Sequence, residues 1–140
     1  MALLNEQWGF DKKLDYAFVL TEKERIYLIK RSIDNLDLTK LRINSLGLYF
    51  AEFRNNELRL SIEGSQIVGP FATKNFVVIN DNELRQWLRG EDLIKECTQT
   101  GFVIIKHSED YLGCGKYKDG TILNFVPKTR RLMTLASSQE

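Results

Sequence analysis

Apolar and polar positions change rhythm along the chain, and the changes mark its elements. Tyr16-Ala17-Phe18-Val19-Leu20 is apolar, Thr21-Glu22-Lys23-Glu24 is polar, and Arg25 to Lys30 is apolar again. This reads as strand, turn, strand; a helix from Thr21 is the rival, because Glu and Lys are good helix formers. Asp34 to Lys40 reads as a short helix or turn. Arg42 to Phe53 has high β-propensity, and Leu58-Arg59-Leu60-Ser61-Ile62 follows it. The Asn55-Asn56 pair between them is a hairpin signal. Glu63 to Val68 predicts a helical turn before Gly69-Pro70 interrupts the chain.

The rhythm differs beyond Pro70. Asn75-Phe76-Val77-Val78-Ile79 has the length of a buried strand. Asn80 or Asp81 can cap a following helix, with Glu83 or Leu84 in its first turn. Leu84, Trp87 and Leu88 share one helical face. Gly90 is placed to end that helix with positive φ. Four short β-runs follow, at Gly101–Lys106, Tyr111–Lys116, Thr121–Val126 and Arg130–Leu135. One helix among five or six short strands predicts a small, partly closed barrel. Glycine density supports the change: residues 1–45 hold only Gly9, and the remainder holds the other eight. The expected class is therefore α+β. A small mixed domain over residues 1–69 precedes a β pseudobarrel with one helix over residues 70–140.

Composition narrows the function. Apolar residues make up 43% of the 140 positions and aromatics 11%, enough for a real core. Twenty Lys and Arg oppose nineteen Asp and Glu, which excludes a globally basic binder. The balance is local. Residues 116–131 carry Lys116, Lys118, Lys128, Arg130 and Arg131 against Asp119 alone. No apolar run approaches the roughly 20 residues of a membrane span, and Met1 to Trp8 lacks the pattern of a secretory leader. The expectation is a cytoplasmic protein that has no membrane partner.

Catalytic and metal chemistry find little material. His107 is the single histidine, at the end of a β-run beside Ser108. Cys97, His107 and Cys114 match no compact ligand spacing, and the cysteines read as small apolar residues. Gly113-Cys114-Gly115 lacks the third glycine and following helix of a dinucleotide loop. It reads better as a strand that bends or admits a close neighbour. Glu91-Asp92 and Glu109-Asp110 read as solvated turn residues. No catalytic residue, metal or cofactor is expected.

The basic cluster carries the functional reading. Lys116 and Lys118 point to one face of an extended strand. The Asp119-Gly120 turn returns the chain, and Lys128, Arg130 and Arg131 reach the next β-run. Such a group can contact spaced phosphates, with Tyr117 and Phe125 as a stacking surface. A solvated rim is the alternative reading of the same charges.

Residues 75–93, Asn-Phe-Val-Val-Ile through Trp87-Leu88-Arg89-Gly90-Glu91-Asp92-Leu93, resemble the opening of a PUA domain: a strand, then a helix ending in an Arg-Gly-x-x-Leu turn. Gly101–Ile105 and Leu112–Lys116 resemble later PUA strands. Leu46–Phe53, Leu58–Leu60 and Val68–Ala72 are similar to the pre-PUA region of the Nip-type large-ribosomal-subunit biogenesis proteins. Val126-Pro127-Lys128-Thr129-Arg130-Arg131 is similar to PUA segments of NOL1/NOP2/Sun-type RNA cytosine methyltransferases. The resemblance implies a non-enzymatic RNA-binding protein acting in ribosome biogenesis or rRNA processing. Its partners would be structured RNA, rRNA or pre-rRNA, with ribosome-assembly or RNA-modification proteins. The alternative is a detached RNA-binding module that serves a separate modification enzyme. The implied RNA-binding residues are Arg85, Arg89, Gly90, Lys116, Lys118, Lys128, Arg130 and Arg131, with the two helical arginines at the edge of the basic face.

Overall fold

The computed structural model describes residues 2–12, 16–30, 47–96, 98 and 101–127. Outside them lie the expected Asp34–Lys40 segment, the start of the Arg42–Phe53 run, Cys97, the Arg130–Leu135 run and the basic residues Lys128, Arg130 and Arg131. The architecture is α+β, with two sheets among the described residues. A helix α1 (Ala2–Trp8) opens the chain. Strands β1 (Tyr16–Leu20), β2 (Arg25–Lys30), β3 (Leu48–Arg54) and β4 (Glu57–Leu60) form an antiparallel sheet in sequence order. The segment at Thr21 is thus a turn, and the helical rival is excluded. Asn55 and Asn56 join β3 to β4 with φ of 52° and 63°, the paired left-handed conformation of a type I′ hairpin turn.

Helix α2 (Ile62–Val68) and a 3-10 turn (Gly69–Phe71) lead into the second sheet. Its strands are β5 (Phe76–Val78), β6 (Leu93–Ile94), β7 (Gly101–His107), β8 (Asp110–Lys118) and β9 (Thr121–Asn124), in the order β5-β7-β8-β9-β6. β5 runs parallel to β7 and the other pairs are antiparallel. The sheet curls into a half-barrel around the helix α3 (Asp81–Leu88), as expected for a PUA-like pseudobarrel.

Helix α3 has both of its ends specified. Asn80 Oδ1 accepts from the Glu83 N–H and Glu83 Oε1 accepts from the Asn80 N–H, a capping box. At the other end the Gly90 N–H reaches the Trp87 carbonyl and the Glu91 N–H reaches the Gln86 carbonyl, both at 3.0 Å. This is a Schellman closure, and Gly90 has the positive φ it requires, 89°. Asn124 Nδ2 then donates to the carbonyls of Trp87 and Glu91, which fixes the turn to β9. Leu93 follows as a buried residue paired with Ile122.

Two cores result. One gathers Val77, Ile79, Trp87, Leu93, Val103, Ile105, Ile122 and Val126 inside the half-barrel. The other joins Leu4, Trp8 and Phe10 to Leu28, Phe50, Leu58, Leu60 and Val68, and includes Ile104 and Cys114 of the second sheet. Consecutive β7 residues therefore serve different cores, so the second sheet is covered on both faces at this point. Helix α1 ties the halves together. Gln7 exchanges two hydrogen bonds with the Leu58 backbone, the Trp8 carbonyl accepts from the Thr73 N–H, and the Gln7 carbonyl accepts from Asn75 Nδ2.

Candidate nucleic-acid interface

The pleat of β8 sorts its side chains. Gly115 faces the half-barrel core: a Cβ there would lie 2.7 Å from the Trp87 ring and 2.4 Å from Ile122 Cγ2. The glycine is needed for close approach, as the sequence indicated for Gly113-Cys114-Gly115. Cys114 and Lys116 point the other way. Burial pushes the Cys114 thiol up to about 12, so it stays protonated and inert.

Lys116 sits opposite Phe102 on β7, and its Nζ lies 5.2 Å from the Phe102 ring centroid. The Phe102 and Phe125 rings are 6.1 Å apart. The Arg59 guanidinium stacks on Phe125 with its Cζ 4.5 Å from the ring centroid. Lys116, Phe102, Phe125 and Arg59 thus form a row of cations and rings across the junction of the two sheets. Lys118 lies two residues further along β8 and is exposed.

Arg59 belongs to a second, cross-strand row. Register places Arg25, Glu52 and Arg59 side by side on β2, β3 and β4. Glu52 is only 7% exposed and accepts from Arg59 at 2.8 Å and from Arg54. Arg25 lies over the Tyr49 ring, 5.8 Å from its centroid. Burial, reinforced by the Glu52 charge, holds the Tyr49 hydroxyl above its usual range, so it is a neutral donor at physiological pH. Arg25, Arg54 and Arg59 outnumber Glu52 and Glu57, which lies opposite Arg54, so this face keeps a net positive charge.

The helical arginines lie elsewhere. Helix α3 packs on the Gly115 side of the second sheet, the face opposite to Lys116. Arg85 is exposed and donates to Asn82 Oδ1 at 3.0 Å; Arg89 pairs with Glu91 at 3.0 Å. Tyr117 also leaves the expected stacking surface. It packs on the half-barrel core and its hydroxyl donates to Glu96 at 3.3 Å. Phe125 does join the Lys116 face. His107 pairs through Nε2 with Asp81 Oδ1 at 2.8 Å, tying the end of β7 to the start of α3.

Arg25, Arg54, Arg59 and Tyr49 escaped the sequence reading. The available signal was local: Arg59 sits between Leu58 and Leu60, so it must occupy the face that those leucines avoid. Its meeting with Phe125 depends on how the two sheets pack, which no local pattern encodes.

Among the described residues, no helix is long and apolar enough to cross a membrane and no cluster of ligating side chains suits a metal ion. Residues 74–132 match the family model of the methyltransferase RsmF PUA domain. No curated protein matches the chain. The fold and the match fall on the same segment: residues 74–132 are similar to the PUA modules of Sun/NOP2-type methyltransferases, and the curled sheet is consistent with a PUA-like pseudobarrel.

Proposed function

We propose that the chain is a non-enzymatic RNA-binding protein whose PUA-like domain engages structured RNA, rRNA or pre-rRNA, during ribosome biogenesis or rRNA processing. The family match over residues 74–132 carries this reading, and the row of cations and rings from Lys116 to Arg59 supports it. Phosphates supply affinity through such cations, and unpaired bases stack on such rings. On this reading residues 1–69 form a pre-PUA domain that orients the RNA or binds an assembly protein, as in Nip-type proteins. We further propose that it acts in the cytoplasm.

A second reading has its own support, because the matching model describes a methyltransferase-associated PUA domain. The chain would then present RNA to a separately encoded cytosine methyltransferase. Affinity capture of the tagged protein followed by RNA sequencing separates the readings. Enrichment of pre-ribosomal particles supports the first, and a single modification enzyme with its substrate supports the second. Recovery of no RNA above a charge-matched control would contradict both.

A further inference from the structure

The junction of the two sheets holds an open pocket of about 90 Å³, a space for several waters or one planar ring. Its walls include Tyr49, Arg59, Ile62, Leu112, Phe125 and Pro127, contributed by both halves. We infer that this pocket receives one unpaired base of the bound RNA, an inference that rests on the RNA-binding reading above.

The wall chemistry selects a neutral planar ligand. Arg59 already satisfies Glu52 at 2.8 Å, so a phosphate gains little by entering. The guanidinium is stacked on the Phe125 ring, which holds it flat, so its outer face offers a planar surface for a further ring to stack on. Ile62 and Leu112 supply aliphatic walls, and the neutral Tyr49 adds an aromatic one. The surroundings suit a polyanion. Lys116 lies one ring beyond Phe125, over Phe102, while Arg25 and Arg54 lie on the neighbouring strands of the first sheet, around Glu52. A base in the pocket therefore leaves its neighbouring phosphates beside cations. An aromatic side chain of a protein partner would use the same walls but would gain nothing from this charge.

The test uses the full chain and two RNA hairpins of identical stem, one with an ordinary loop and one with abasic riboses throughout the loop. Binding is read by anisotropy, and the backbone amide spectrum locates the contact. The ordinary hairpin is expected to move the amides of Leu60, Ser61, Ile62, Gly113 and Cys114. The abasic hairpin is expected to leave them in place and to bind about tenfold more weakly. Phe125→Leu, with its fold checked by the same spectrum, should no longer distinguish the two RNAs. Arg59→Lys keeps the charge but loses the flat surface, and should lose part of the distinction. If both hairpins bind the unaltered protein equally and the pocket amides stay still, the pocket inference is overturned and RNA binding stands. If neither hairpin binds, the RNA-binding reading fails as well.

Discussion

At the scale of single residues, backbone and burial decide more than charge. Gly90 holds a φ of 89° because the Schellman closure of α3 demands it. Gly90→Val should cost about 1–2 kcal/mol, since a β-branched residue resists that conformation; urea denaturation checks it. Cys114 gives a second expectation. Its pKa rises from 9.0 to about 12 in the folded protein, so the folded state holds the thiol proton where the unfolded chain has lost it. That contribution is complete below pH 9 and is lost as pH climbs toward 12, at no more than about 1.4 kcal/mol per pH unit. Denaturation curves from neutral to alkaline pH should show this slope in the wild type, and Cys114→Ala should lack that portion. The same burial predicts that Cys114 resists alkylation until the chain unfolds.

At the scale of elements, the parts with local signatures were legible. The Asn55-Asn56 hairpin, the Asn80 cap, the Leu84–Trp87–Leu88 stripe and the Gly90 stop all follow from adjacent residues. Asn80→Ala should cost about 1 kcal/mol by removing one arm of the capping box, measured as a lower urea midpoint. Asn80→Ser should recover most of that loss. Two elements were missed for a physical reason. Helix α1 spans seven residues, too few for periodicity to emerge, although Leu4 and Trp8 anchor it in the core. β6 is only Leu93–Ile94, defined by its pairing with β9 rather than by its own sequence. The site divides the same way. Lys116 and Lys118 share a face because strands alternate, whereas the Arg25–Glu52–Arg59 row needs three strands in register. The placement of Arg85 and Arg89 away from Lys116 depends on which sheet face α3 covers, and helical spacing alone is silent on that.

At the scale of the whole molecule, the two sheets share a core. Ile104 and Cys114 of the half-barrel pack with Leu4, Phe50 and Leu60, and α1 bonds to both halves. A fragment beginning at residue 70 uncovers that apolar face. It should unfold at lower urea than the full chain and bind an apolar dye that the full chain excludes; equal midpoints would show that the halves fold independently. This joined architecture also presents the cations of both sheets together, and RNA binding is the claim that rests on it. The most direct test measures affinity for a structured rRNA fragment across several salt concentrations. The unaltered chain is compared with a variant that carries alanine at Lys116, Lys118, Lys128, Arg130 and Arg131. The expected result is a variant that stays folded with at most a small drop in thermal midpoint from loss of the Lys116–Phe102 contact, weaker binding, and a shallower dependence of log affinity on log salt, by up to about 0.9 for each lost phosphate contact. A folded variant with the affinity and salt slope of the wild type would contradict it.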